Sequence, residues 1–117
     1  MYVIEKDSGR RVLDNLACAD DFKSRFFGLI GRSYLEDGFG LYIPRCSSIH
    51  TCFMAVIIDI IYIDRQWKII KTVKDMNPWR FSACRGAEGV IETRAGWIRK
   101  HGIERGLQLE PVDLGEH

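Results

Sequence analysis

The chain has no long apolar run. Its longest, Phe53 to Tyr62, is interrupted by Asp59 and reaches about half of the roughly 20 residues that a membrane-spanning helix needs, which excludes such a segment. Nor does it carry a surplus of either charge. With 17 Lys and Arg against 16 Asp and Glu, the formal net charge is +1, so no general attraction to nucleic acid or to an acidic membrane is expected. The opening residues, Met1 to Gly9, lack the basic leader, apolar stretch and small-residue cleavage site of a secretory signal, which predicts a cytoplasmic protein. Its four cysteines, Cys18, Cys46, Cys52 and Cys84, are then expected to be reduced thiols rather than disulfides. Also missing are a Gly-rich phosphate loop, a nucleophile elbow, a paired Cys-x2-Cys motif, an internal repeat and a linker. No cofactor is therefore expected, and residues 1–117 read as one soluble domain. A domain of that length buries roughly two-thirds of its unfolded surface, enough for a core without staples.

What is present is mostly strand pattern. Tyr2 to Glu5 and Arg11 to Leu16 flank the turn-forming Asp7-Ser8-Gly9 and predict an opening hairpin. Asp20 is placed to cap a helix with Phe22, Phe26, Leu29 and Ile30 on one face, ended by Gly31. Leu41 to Ile43 reads as a short strand. Phe53 to Asp64, dense in Val and Ile at both parities, predicts a central strand covered on two sides. Asp64 turns the chain into its partner, Trp67 to Val73. Gly89 to Thr93 reads as a strand, Thr93 as the cap of a short helix running to Lys100 and closed by Gly102, and Leu107 to Val112 as the last strand. The fold class that follows is β-rich α+β: a strongly curved or partly closed, mostly antiparallel β-barrel with two short helices.

The chemistry concentrates where polar and sulfur-bearing residues run into the β-branched stretch. Asp59 lies among aliphatic residues and needs a cation, hydrogen-bond donors or a proton. Its structural reading is a buried pair or a loop cap, and its functional reading is an acid or base. His50 is either a core imidazole or a base. Cys46, His50 and Cys52 share strand parity, but Cys46 and His50 would be about 13 Å apart on extended backbone. Only a looped Cys46 with Cys84 would complete a Cys3His zinc site. A thiol nucleophile would pair Cys46 or Cys52 with His50 and Asp59. Trp79, Arg80 and Arg85 offer an aromatic face and guanidinium groups suited to a planar, carboxylate-bearing or peptidic ligand, whereas the blander reading pairs Arg80 with Asp59 or Glu92. The basic residues from Arg94 to Arg105 read as a solvated face.

A further set of residues is familiar in its order: Gly28-Leu-Ile-Gly-Arg32 and Leu35, Gly40-Leu-Tyr-Ile43, Ile49-His-Thr51 with Met54, Ile58-Asp59 and Tyr62-Ile-Asp64. Pro78-Trp-Arg80, Cys84-Arg-Gly-Ala87, Ile91-Glu92 and Ala95-Gly96 follow. Over about Leu16 to Leu109 the chain resembles the uncharacterised family called domain of unknown function 192. The resemblance implies a small β-rich domain and supplies no activity, cofactor or catalytic set. Cys52 stands where members often carry an aromatic residue, and Ala55-Val56-Ile57 replaces a segment that commonly holds a basic residue and a proline. The leading expectation is a non-catalytic binding or accessory domain with a pocket formed by His50, Thr51, Met54, Asp59, Trp79, Arg80 and Glu92, taking a small or peptidic ligand. The alternative is a thiol- or metal-dependent enzyme using Cys46, His50 and Cys52.

Overall fold

Two-sided burial of one strand organises the molecule. The structure is a computed structural model that describes residues 1–19 and 34–114. Its strands run in chain order as β1 (Tyr2–Glu5), β2 (Arg11–Leu13), β3 (Asn15–Cys18), β4 (Phe39–Pro44), β5 (Ser48–His50), β6 (Ile58–Ile63), β7 (Ile69–Met76), β8 (Phe81–Ala83), β9 (Gly89–Arg94) and β10 (Leu109–Val112). One short helix among the described residues, α1 (Trp97–His101), sits between β9 and β10. Every residue of β6 is buried, as its Ile-rich pattern at both parities predicts. The strand is shorter than the predicted Phe53–Asp64, because Phe53 holds a left-handed φ of 67° that breaks extended backbone. Its partner begins at Ile69 rather than Trp67 for the same reason, Trp67 having φ 68° in the turn that Asp64 organises by accepting the Gln66 and Lys68 amides.

The barrel expectation is corrected. Five strands form one open sheet in the order β3-β4-β9-β6-β7, with β3 and β4 parallel and the other pairs antiparallel. A three-stranded sheet, β10-β1-β2, and a two-stranded one, β5-β8, are separate from it. Closure fails because the stretch predicted as one strand, Arg11 to Leu16, breaks at Asp14. The amides of Asp14 and Asn15 both donate to Gly38 O, turning the chain out of one sheet and into the next.

The five-stranded sheet buries both faces. On one, Ile61, Ile63 and Ile91 meet Val3, Val12, Leu13, Leu109 and the helix residues Trp97 and Ile98. On the other, Leu41, Ile43, Ile58, Ile60, Tyr62 and Val90 meet Leu35, Ile49, Met54 and Met76. Each fully buried aliphatic side chain contributes about 1.5–3 kcal/mol, so β6 alone anchors much of both layers.

The second expected helix, capped by Asp20, lies outside the described residues. The first differs from expectation at its start: Thr93 stays in β9 with its hydroxyl donated to Phe39 O, and Gly96 at φ 96° takes the N-cap place without a side-chain cap of its own. Gly102 closes the helix in the left-handed conformation, as predicted. No helix among the described residues is long and apolar enough to cross a membrane.

Candidate functional site

The residues nominated from the sequence separate into three places. Asp59 is wholly buried beneath α1, where Oδ2 accepts the amides of Gly96 (3.1 Å) and Ile98 (2.8 Å) and Oδ1 accepts the amide of Asp75 (2.8 Å). The cap that Thr93 does not supply therefore comes from β6. Among the described residues all of Asp59's partners are backbone donors, so it pairs with no guanidinium and orients no histidine there.

Glu92 lies one sheet thickness away. The register sets Asp59 opposite Thr93 and Ile60 opposite Glu92, and Leu41 faces Glu92 from β4. Side chains alternate along a strand, so Asp59 and Glu92 point to opposite faces and line no common pocket. Glu92 is 5% exposed, and burial raises its pKa to about 7. On its face Tyr62 donates its hydroxyl to Ser82 Oγ at 2.9 Å; burial raises the Tyr62 phenol, and the Ser82 bond offsets part of that rise.

The third place is a surface built on the β5-β8 ribbon. His50 pairs with Phe81 and Ile49 with Ser82. Ile49 is buried, so the alternation that turns Ile49 and Ser82 inward turns His50 and Phe81 outward. Thr51, buried completely, clamps the neighbouring loop: its amide donates to Arg80 O, its hydroxyl donates to Asn77 O at 2.6 Å and accepts the Arg80 amide at 2.9 Å, and its carbonyl accepts the Trp79 amide. That clamp holds Trp79 at φ 63° against Phe53 at φ 67°, with ring centroids 4.7 Å apart and planes tilted by 59°. Phe53, Trp79 and Phe81 remain 68%, 58% and 73% exposed. The Cys52 amide donates to His50 Nδ1 at 3.2 Å, and among the described residues the Arg80 guanidinium reaches Trp79 O rather than Asp59 or Glu92, the blander pairing.

Of the predicted pocket residues, the fold brings together His50, Thr51, Trp79 and Arg80. Met54 is core, and Asp59 and Glu92 stand apart. The reasoning from sequence missed Phe53, taken as the first residue of the central strand, and Phe81; the aromatic spacing Trp79-x-Phe81 after Pro78 was the available signal. Cys46 donates to Ser48 O and Cys84 to Arg85 O, and among the described residues no group of three or more His, Cys, Asp or Glu stands close enough to hold a metal ion. A cleft of about 280 Å³ between Asp37 and the start of α1 is lined by Arg94, Gly96 and Lys100, where the Lys100 ammonium, 2.8 Å from Asp37, holds that carboxyl below its usual range.

The alignment of the whole chain decides its family. The family called domain of unknown function 192, described as an uncharacterized ACR, matches residues 3–111. The chain belongs to this family. Membership reaches further than the sequence resemblance, taking in β1 and β10. A UPF0127 protein of Thermococcus sibiricus is 30% identical over 113 residues, covering 92% of this chain and 73% of the relative. Among solved structures, a Sinorhizobium meliloti protein described as a candidate transcription regulator superposes with a TM-score of 0.81 at 22% identity, over 93% of this chain and 89% of its own. A protein of unknown function from Novosphingobium aromaticivorans gives 0.80 at 22%, over 93% and 81%. At those identities the two structures establish a shared fold.

Proposed function

We propose that this protein is a non-catalytic binding domain that recognises a short peptide or a planar, carboxylate-bearing small molecule on the Phe53, Trp79 and Phe81 surface beside His50 and Arg80. One observation carries the reading: two large aromatic residues hold left-handed backbone conformations and yet leave their rings in solvent. Such a conformation costs about 1–3 kcal/mol per residue, and burial does not offset it here. The strain serves a surface held ready. Stacked faces suit a planar or aliphatic group, and an adjacent guanidinium suits a carboxylate. A DNA ligand, which the description of the Sinorhizobium meliloti protein brings to mind, is less well supported, since a net charge of +1 provides little counterion release.

The test uses hexapeptides with a free C-terminal carboxylate and the same peptides amidated, read by amide NMR. Binding is expected to shift Phe53, Trp79 and Phe81, to weaken on amidation, and to fall about tenfold or more in Trp79→Ala. Binding that survives unchanged in folded Trp79→Ala and His50→Ala variants would remove the assignment.

A further inference from the structure

We propose that Glu92 is the floor of a second binding site, one for a ligand that carries a primary ammonium on an apolar body. Among the described residues Glu92 accepts no hydrogen bond and forms no ion pair, although its residue is almost wholly enclosed. Among the described residues no fully buried side-chain oxygen or nitrogen lacks a partner. The small exposure that Glu92 retains therefore falls on its carboxyl oxygens.

The walls define the ligand. Leu41 and Ile60 flank Glu92 in register, and Ile58 and Val90 belong to the same apolar cluster, so the body of the ligand must be apolar. Among the described residues the polar and titratable groups on this face are already engaged, Cys46 and Cys84 with the carbonyls of Ser48 and Arg85. Tyr62 donates to Ser82, and Lys71, opposite Tyr62 in register, gives its ammonium to Ala83 O at 2.7 Å and lies 5.7 Å from the Tyr62 ring. An unmatched carboxyl in such surroundings is compensated by a group that brings both charge and N–H donors. An ammonium brings three donors on one atom, whereas a metal ion would need further ligands, which the described residues do not gather. This site lies beneath the β5-β8 ribbon, whose outer side carries His50 and Phe81, and it does not depend on the aromatic surface.

The experiment titrates the full chain with n-butylamine, using n-butanol and butyrate as controls, and follows ¹³C-carboxyl glutamate and the Leu and Ile methyls by NMR. The expected result is saturable shifts at Glu92, Leu41 and Ile60 with n-butylamine alone, and binding about ten- to a hundredfold weaker in Glu92→Gln. The bound ammonium should also draw the Glu92 titration down from about 7, because it favours the carboxylate. Equal methyl shifts with n-butanol, or unaltered binding in Glu92→Gln, would overturn the proposal. So would a Glu92 titration that is the same with and without n-butylamine, marking a buried acid that only stores a proton. If Glu92→Gln does not fold, the wild-type carboxyl titration decides alone. Trp79→Ala is expected to leave the n-butylamine response intact, so failure here leaves the aromatic surface untouched.

Discussion

Asp59 and Glu92 occupy adjacent strands of one sheet under opposite regimes. Three backbone amides saturate the first, and among the described residues no hydrogen bond or ion pair answers the second. The difference has a pH signature. The folded Glu92 carboxyl keeps its proton to about pH 7, while an ordinary glutamate gives it up near 4.5, so between these values the folded state binds more protons than the unfolded state. Stability from this group is therefore greatest below about pH 4.5, declines as pH rises through about 7, and is level above, an effect of at most about 3 kcal/mol. Urea denaturation of wild type and Glu92→Gln at about pH 5 and about pH 8 isolates it: the variant is expected to lose most of the decline. A carboxylate inside an Ile-rich run announced in the sequence that Asp59 needed donors. That α1 would deliver them was not legible, because the pairing of Asp59 with Thr93 and of Ile60 with Glu92 is a long-range register that no local spacing encodes.

At the scale of elements, the β6 strand, the β9 strand and the Gly102 stop could be read from composition and period alone. Whatever depended on a positive φ at a bulky residue could not. Phe53, Trp67 and Trp79 all carry strand-like side chains and all sit outside strands, Trp67 and Trp79 held by hydrogen bonds with Leu109 and Thr51 and Phe53 by the Trp79 ring. The aromatic surface was half visible for this reason, through Trp79 and Arg80 but not through Phe53. Close approach between strands is equally hidden. A Cβ at Gly89 would lie 2.6 Å from Tyr42 Cε1 and 3.3 Å from Ile43 O, and Tyr42 is itself held against Trp67 with ring centroids 4.6 Å apart. Gly89→Ala is expected to cost about 1–3 kcal/mol through displacement of that ring pair. Thermal melting with tryptophan fluorescence checks it: a midpoint lower by about 4 °C or more is expected, and an unchanged one would mean that β4 and β9 yield freely.

For the whole molecule, the β-rich class followed from the sequence, whereas the choice between a closed barrel and separate open sheets turned on the corner at Asp14. That corner leaves β1 as the middle strand of its sheet, with Tyr2 opposite Val112 and Glu5 opposite Leu109. Removing residues from Leu109 onward strips one side of β1 and takes Leu109, 1% exposed, from the core beside Ile69 and Trp97. Calorimetry of that truncation is expected to show no cooperative transition, and a melt like that of the full chain would show that the small sheet is dispensable.

The pairing of β1 with β10 also bears on synthesis. Within this domain β1 is synthesised well before its sheet partner β10, so β1, β2 and the face of the large sheet they cover stay wet until translation has passed Val112. Assembly of this domain is therefore a single late event rather than a growth from the N-terminus, and the nascent chain carries its Ile-rich strands uncovered until that moment.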